Sequence, residues 1–259
     1  MRYFFHIAYN GFNYRGWQRL PQTKGASVQE IIETSLGRIL KTEVAIVGCG
    51  RTDARVHAAQ FFFHVDIAKT WDFDLKFRLN KNLPDDIAVF DIIRLDDRPH
   101  ARFDAVERTY NYFIHTYKDP YLSTVSAYYP EEALDFDLMN KAASLLLEYD
   151  DYSPFSKNIP AGKSTICKIR AAEFRANTSG DRFVFEITSN RFLNGMIRII
   201  VHKLLSVGRH ELDIKDFEQY LASKQKPPIN RLVYPQGLHL THVKYPFLDI
   251  PTRPGNLAL

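Results

Sequence analysis

Apolar and polar residues alternate over residues 2–9, the pattern of a strand with a buried face, and Asn10-Gly11 followed by Asn13-Tyr14-Arg15-Gly16 then reads as a turn or loop. Ser27-Val28-Gln29-Glu30 has the spacing of a capping box, with Ser27 as N-cap and Glu30 three residues later. Ile31, Ile32, Ser35, Leu36 and Ile39 fall near one helical stripe, so a helix is expected to about Leu40. Val44-Ala45-Ile46-Val47 predicts a strand near 43–47, and Phe61-Phe62-Phe63 belongs to another near 58–66. A helix near 72–82 and a strand near 87–95 complete a β-α-β-β-α-β order, that of a ferredoxin-like unit.

The pattern then starts again. A long strand is expected from Val106 to about Tyr117, ended by the Asp119-Pro120 turn signal. Leu134 to Leu147 has helical periodicity with Asp135 as N-cap, and strands follow near 165–176 and 182–189. Met196 to Val207 is a strongly apolar helix, residues 214–222 a shorter one, and Gly237 to Tyr245 a final strand. Charged residues and Pro99 interrupt the pattern between Asp97 and Asp104, which places a boundary between halves 1–104 and 105–259. The expected class is α+β: two ferredoxin-like halves forming a broad, mainly antiparallel sheet, with helices on one face and a cleft for a large substrate on the other.

Composition narrows the partners. The 259 residues are 45% hydrophobic, ordinary for a globular chain, and no run approaches the roughly 18 apolar residues that cross a bilayer. The first residues lead directly into a strand, so a cytosolic protein with no membrane association is expected. Cys49 and Cys167 lie far apart and form no CxxC pair, which indicates neither a disulfide framework nor a zinc cluster. Cys49 adjoins a basic loop, but no His and Asn arrangement around it suggests a thiol hydrolase. A net charge of +4 permits an anionic partner. With the excess spread over both halves, such a partner would lie on a folded surface.

Gly50-Arg51-Thr52-Asp53-Ala54-Arg55-Val56-His57-Ala58 sets one carboxylate among two arginines and a histidine, between two apolar runs. Asp53 reads either as a turn former or as a reactive group carried on a loop that strands hold firmly. Arg108, Tyr110 and Tyr112 alternate along the strand at 106–117 and should share one sheet face, either packed in a core or presented to unpaired bases. The helix from Met196 leaves little polar circumference, so Arg198 should be close to buried and in need of charge-assisted partners. Asn194 and His202 lie four residues to either side of it on the same face.

Three motifs in order carry a resemblance over nearly the whole chain. GRTDARVHA at 50–58 resembles the GRTDAGVHA signature of the tRNA pseudouridine synthase A family. Arg108-Thr109-Tyr110-Asn111-Tyr112 resembles its Arg-x-Tyr-x-Tyr strand, and Arg191-Phe192-Leu193-Asn194-Gly195-Met196-Ile197-Arg198 its Phe-Leu-x-x-Met-Val/Ile-Arg segment. Gln29 after the capping serine and Gly237-Leu238 near the last strand also fall in familiar settings. The resemblance implies an isomerase that converts uridine to pseudouridine in the anticodon stem-loop region of tRNA, at positions 38–40, with no metal or organic cofactor. It also implies a homodimer with tRNA crossing both subunits, and no role for DNA. Asp53 would be the nucleophile, Tyr110 the tyrosine at the target base, Arg198 the arginine that pairs with the aspartate, and Arg51 the residue that takes the place of the flipped nucleotide.

The chemistry suits these residue types. A carboxylate can attack the sugar or the pyrimidine, or remove a sugar proton, and the detached uracil must turn while held, for which a flat aromatic partner is useful. A stacked uridine must first be extruded, and a planar cation can fill the gap. Arg55, His57, Arg102 and Arg108 are candidates for phosphate contacts around the opening. A non-catalytic RNA-binding protein, a synthase acting on another RNA, and a cofactor-free nucleoside hydrolase remain alternatives. Two departures mark the chain: Arg55 stands where the family has Gly, and the segment from Asn230 to Leu238 lacks the alanine-rich stretch that usually precedes Gly-Leu.

Overall fold

In the computed structural model, which describes residues 1–20, 25–68, 70–130, 134–228 and 231–251, the strand expected at 2–9 forms as β1, Arg2–Tyr9. A single 3-10 turn, Gly11–Asn13, follows, and Asn10 caps it by accepting the Phe12 N–H. Helix α1 runs Val28–Leu40, with the Ser27 side chain accepting the Glu30 N–H. Strand β2 is only Val47–Gly48, shorter than the 43–47 pattern suggests. The reason is that side chains of α1 take the main-chain groups a neighbouring strand would need: Glu33 accepts the Ile46 N–H at 3.1 Å, and Gln29 donates to the Ile46 carbonyl at 3.2 Å.

Strand β3, His57–Asp66, helix α2, Leu75–Asn82, and strand β4, Ile87–Leu95, complete the first half in the expected order. Helix α2 begins later than residue 72 because Asp74 is its N-cap, accepting the Phe77 N–H at 2.9 Å. Tertiary contacts group Met1–Val106 with the stretch that begins at His239 as one compact unit and Glu107–Leu238 as a second.

In the first unit β1 lies between β4 and β3, antiparallel to both, with Phe4 opposite His64 and Phe5 opposite Phe63. Both faces of these strands are packed. Phe5, Tyr9, Trp17, Phe61 and Phe63 form one aromatic cluster, while Phe4, Phe62, His64, Tyr245 and Phe247 form another on the opposite face. The last strand contributes His239 and Leu240, which pair in parallel with His57 and Ala58.

The second unit begins with β5, Glu107–His115, followed by β6, Ala127–Tyr128, a two-residue parallel partner of β5 that periodicity does not announce. Helix α3 spans Phe136–Leu145, capped by Asp135 as expected. Strands β7, Ile169–Ala176, and β8, Arg182–Ser189, pair antiparallel, and β8 also pairs antiparallel with β5. Residues 165–168, expected in β7, instead lie against 150–152: the Tyr152 N–H donates to the Thr165 carbonyl, and the Cys167 N–H to that of Asp150. Helix α4, Met196–Gly208, is buried over most of its circumference, and α5, Ile214–Ser223, packs with it and with α3. A 3-10 turn at Pro235–Gly237 leads into β9, Leu238–Lys244.

His64 makes the first unit sensitive to acid. It is 4% exposed, accepts the Ala101 N–H through Nδ1 at 3.1 Å and stacks on Phe4. Burial, helped by the positive charges of Arg2 and His100, pushes its pKa down to about 4. An unfolded histidine titrates near 6.5, so between these values the unfolded chain binds more protons and is favoured as pH falls. Stability should therefore drop by roughly 1–3 kcal/mol as pH is lowered from about 6.5 to about 4. Urea melts at both ends of that window should show a smaller drop for His64→Gln, which keeps an acceptor for Ala101.

Candidate active site

The Asp53 loop is built from the main chain outward. Thr52 is buried, its hydroxyl hydrogen-bonded to that of Tyr9 at 2.8 Å, and its carbonyl accepts the Trp17 N–H at 3.1 Å. The Asp53 carbonyl accepts the Val56 N–H at 3.2 Å, closing a four-residue turn, and the Arg55 N–H reaches the Tyr14 carbonyl at 3.1 Å. Arg55, third in that turn, has φ +66°, the left-handed conformation that a type II turn asks of this position. It is the conformation that glycine adopts most easily.

Two glycines let residues 10–17 lie directly on the loop. A Cβ on Gly11 would stand 1.9 Å from the Val56 carbonyl oxygen, and one on Gly16, at φ +98°, would stand 2.4 Å from that of Thr52. The Gly11 N–H donates to Nδ1 of His57 at 3.0 Å. As a result Thr52, Val56 and His57 are buried, while Arg51, Asp53, Ala54 and Arg55 are exposed. The loop backbone is fixed, and Asp53 on it is an exposed residue.

The other candidates separate by unit. His57 is 2% exposed and its ring stacks on His239 at 4.3 Å, so it braces the loop and offers no surface to a phosphate. Arg102 is exposed beside Phe103, with its guanidinium 6.0 Å from that ring. Cys49 is fully buried, its sulfur accepting the Phe62 N–H at 3.5 Å, which makes it a core residue. In the second unit Arg108, Tyr110 and Tyr112 alternate along β5, and their burial rises in that order from half-buried to fully buried. Tyr112 is fully buried and donates to the Tyr234 carbonyl at 2.9 Å. Burial holds its pKa well above the ordinary tyrosine value, with the Arg198 charge opposing that shift.

Tyr110, at 9% exposure, lies edge-on to Phe192, and half-buried Arg108 donates to the Asn190 carbonyl at 3.2 Å. Arg198 is half-buried and doubly tied to one residue: its Nε donates to the Val233 carbonyl at 2.9 Å, while the Val233 N–H reaches its own carbonyl at 3.4 Å. Asn194 is exposed, and its carbonyl accepts the Lys157 N–H at 2.9 Å. His202 is half-buried, with burial lowering its pKa. Sequence reasoning missed the segment Phe12 to Trp17 as part of the loop's construction. Its signal was the pair Gly11 and Gly16, five residues apart and taken only as turn residues.

The chain is thus an α+β protein, whose first unit, of order β-α-β-β-α-β with the last strand added, carries Asp53 on a braced loop, and whose second carries the tyrosines of β5 and Arg198 of α4. A family model described as tRNA pseudouridine synthase matches residues 142–246. The tRNA pseudouridine synthase A of Parabacteroides distasonis is 42% identical, over 95% of this chain and 96% of its own. That of Bacteroides fragilis is 39% identical with the same coverage, and that of Staphylococcus aureus 32% identical over 94% and 90%. The chain belongs to the tRNA pseudouridine synthase family, a family of isomerases.

Gly16→Ala should lower stability by at least about 2 kcal/mol, because the added methyl meets a main-chain oxygen at a backbone angle that L residues resist. Urea denaturation measures it. Tyr112→Phe should cost about 1–2 kcal/mol by stranding the Tyr234 carbonyl, read from the same melts.

Proposed function

We propose that the chain isomerises uridine to pseudouridine in the anticodon stem-loop of tRNA, with Asp53 as nucleophile. Tyr110 is the platform for the detached uracil, Arg198 the cation that steadies the carboxylate, and Arg51 the planar group that replaces the extruded nucleotide. Arg55 and Arg108 contribute to substrate binding, and the enzyme works as a cytoplasmic homodimer without metal or organic cofactor. The observation that carries this reading is the construction of the Asp53 loop: five main-chain and side-chain hydrogen bonds hold Thr52, Arg55, Val56 and His57 while Asp53 itself stays exposed. A nucleophile needs that combination, since reach without rigidity loses the orientation on which the rate depends. The family motifs support the same assignment for Tyr110 and Arg198, and the ties of Arg198 to Val233 suit a residue whose position matters.

Asp53→Ala should abolish product on tRNA transcripts, a loss of at least about 1,000-fold in single-turnover pseudouridine formation, with tRNA binding retained. Mapping the product places the target nucleotides. Product from Asp53→Ala at the wild-type rate would overturn the nucleophile, release of free uracil would indicate a hydrolase, and tight binding with no product from either protein would indicate a non-catalytic RNA-binding role.

A further inference from the structure

Beside the Asp53 loop, within the first unit, a cleft of about 620 Å³ opens between residues 12–20 and 25–30 and the turn at Ala54 and Arg55. Its walls include Phe12, Tyr14, Arg15, Leu20, Glu30 and Arg55. The size is that of a site for a small ligand. Arg55 is exposed, and its guanidinium carbon lies 4.3 Å over the Phe12 ring, which places a flat cation beside an aromatic at the cleft wall. Arg15 is exposed on the same lining.

Resting on the function proposed above, we infer that this cleft is a subsite for the nucleotide adjoining the target uridine. Its base stacks on the Arg55 guanidinium, in a Phe12–Arg55–base pile, and its phosphate meets Arg15. Single-stranded RNA is recognised by this kind of platform, because an unstacked base lies as readily on a guanidinium plane as on an aromatic ring. Glu30 repels phosphate and accepts a base N–H, so it favours an orientation with the base edge toward α1. The turn explains the proximity. Arg55 is two residues from Asp53, in the turn closed by the Val56 N–H on the Asp53 carbonyl, and its left-handed backbone gives its own N–H to the Tyr14 carbonyl. Arg55 thereby becomes a residue that selects substrates by what flanks the target.

The test uses anticodon stem-loop RNAs with an abasic nucleotide on either side of the target, assayed with the wild type, Arg55→Lys and Phe12→Leu. Arg55→Lys keeps the charge and the backbone strain and removes only the plane. Loss of the neighbouring base on one side should lower kcat/KM of the wild type about 5- to 100-fold, the range for one base stack, and change either variant less than about twofold. No loss at either neighbour in the wild type, or equal loss in all three proteins, overturns the subsite. If the wild type forms no pseudouridine on any RNA, the proposed function fails, and the same comparison read as Kd by fluorescence anisotropy decides the subsite alone. Arg15→Gln should reduce the salt slope of binding by about one while the discrimination by base remains; an unchanged slope removes Arg15 from the phosphate contact.

Discussion

Two main chains approaching without side chains between them is the constraint on which the Asp53 loop depends. At Gly11 and at Gly16 the segment after β1 lies on the carbonyls of Val56 and Thr52, closer than any Cβ permits. The contact is then locked from both sides, by Trp17 and Arg55 N–H groups and by the Tyr9 and Thr52 hydroxyls. The neighbours of Asp53 are held, and it inherits their position.

The same economy explains the histidines of the first unit. His57 and His64 carry polar nitrogens into a packed interior, and each uses Nδ1 to accept a main-chain N–H, from Gly11 and from Ala101. A phenylalanine would fill the space and leave those N–H groups without an acceptor, at a cost of about 1–3 kcal/mol each. Loops that cross the sheet are thus fastened to it by the ring that also packs under them. At His64 the neutral state this demands couples the fold to pH.

Arg55 shows a local rule broken with a compensation beside it. A non-glycine residue in the left-handed region costs on the order of 1–2 kcal/mol, and an exposed guanidinium on an aromatic face returns about 0.5–1 kcal/mol. The balance is unfavourable for stability alone. The subsite inferred above gives that cost a use, in the contact it assigns to the flat cation of Arg55.

Element order, the caps at Ser27 and Asp135 and the Asp53 motif were legible in the sequence, because periodicity, capping and motif spacing are set by residues near one another along the chain. Four things were decided only by the tertiary structure. Strand β2 is cut short by Gln29 and Glu33, 17 and 13 residues from Ile46 in the chain. Alternation put Arg108, Tyr110 and Tyr112 on one face, but whether that face is open or packed depends on what the chain brings against it, and Tyr112 is in the core. His57 looked like a surface group of a polar loop until the Gly11 segment covered it. The pairing of His239 and Leu240 beside His57 and Ala58 joins residues some 180 positions apart. Each of these is a contact between segments distant in sequence, and its energy arises only when both are folded, so neither segment carries a sign of it alone.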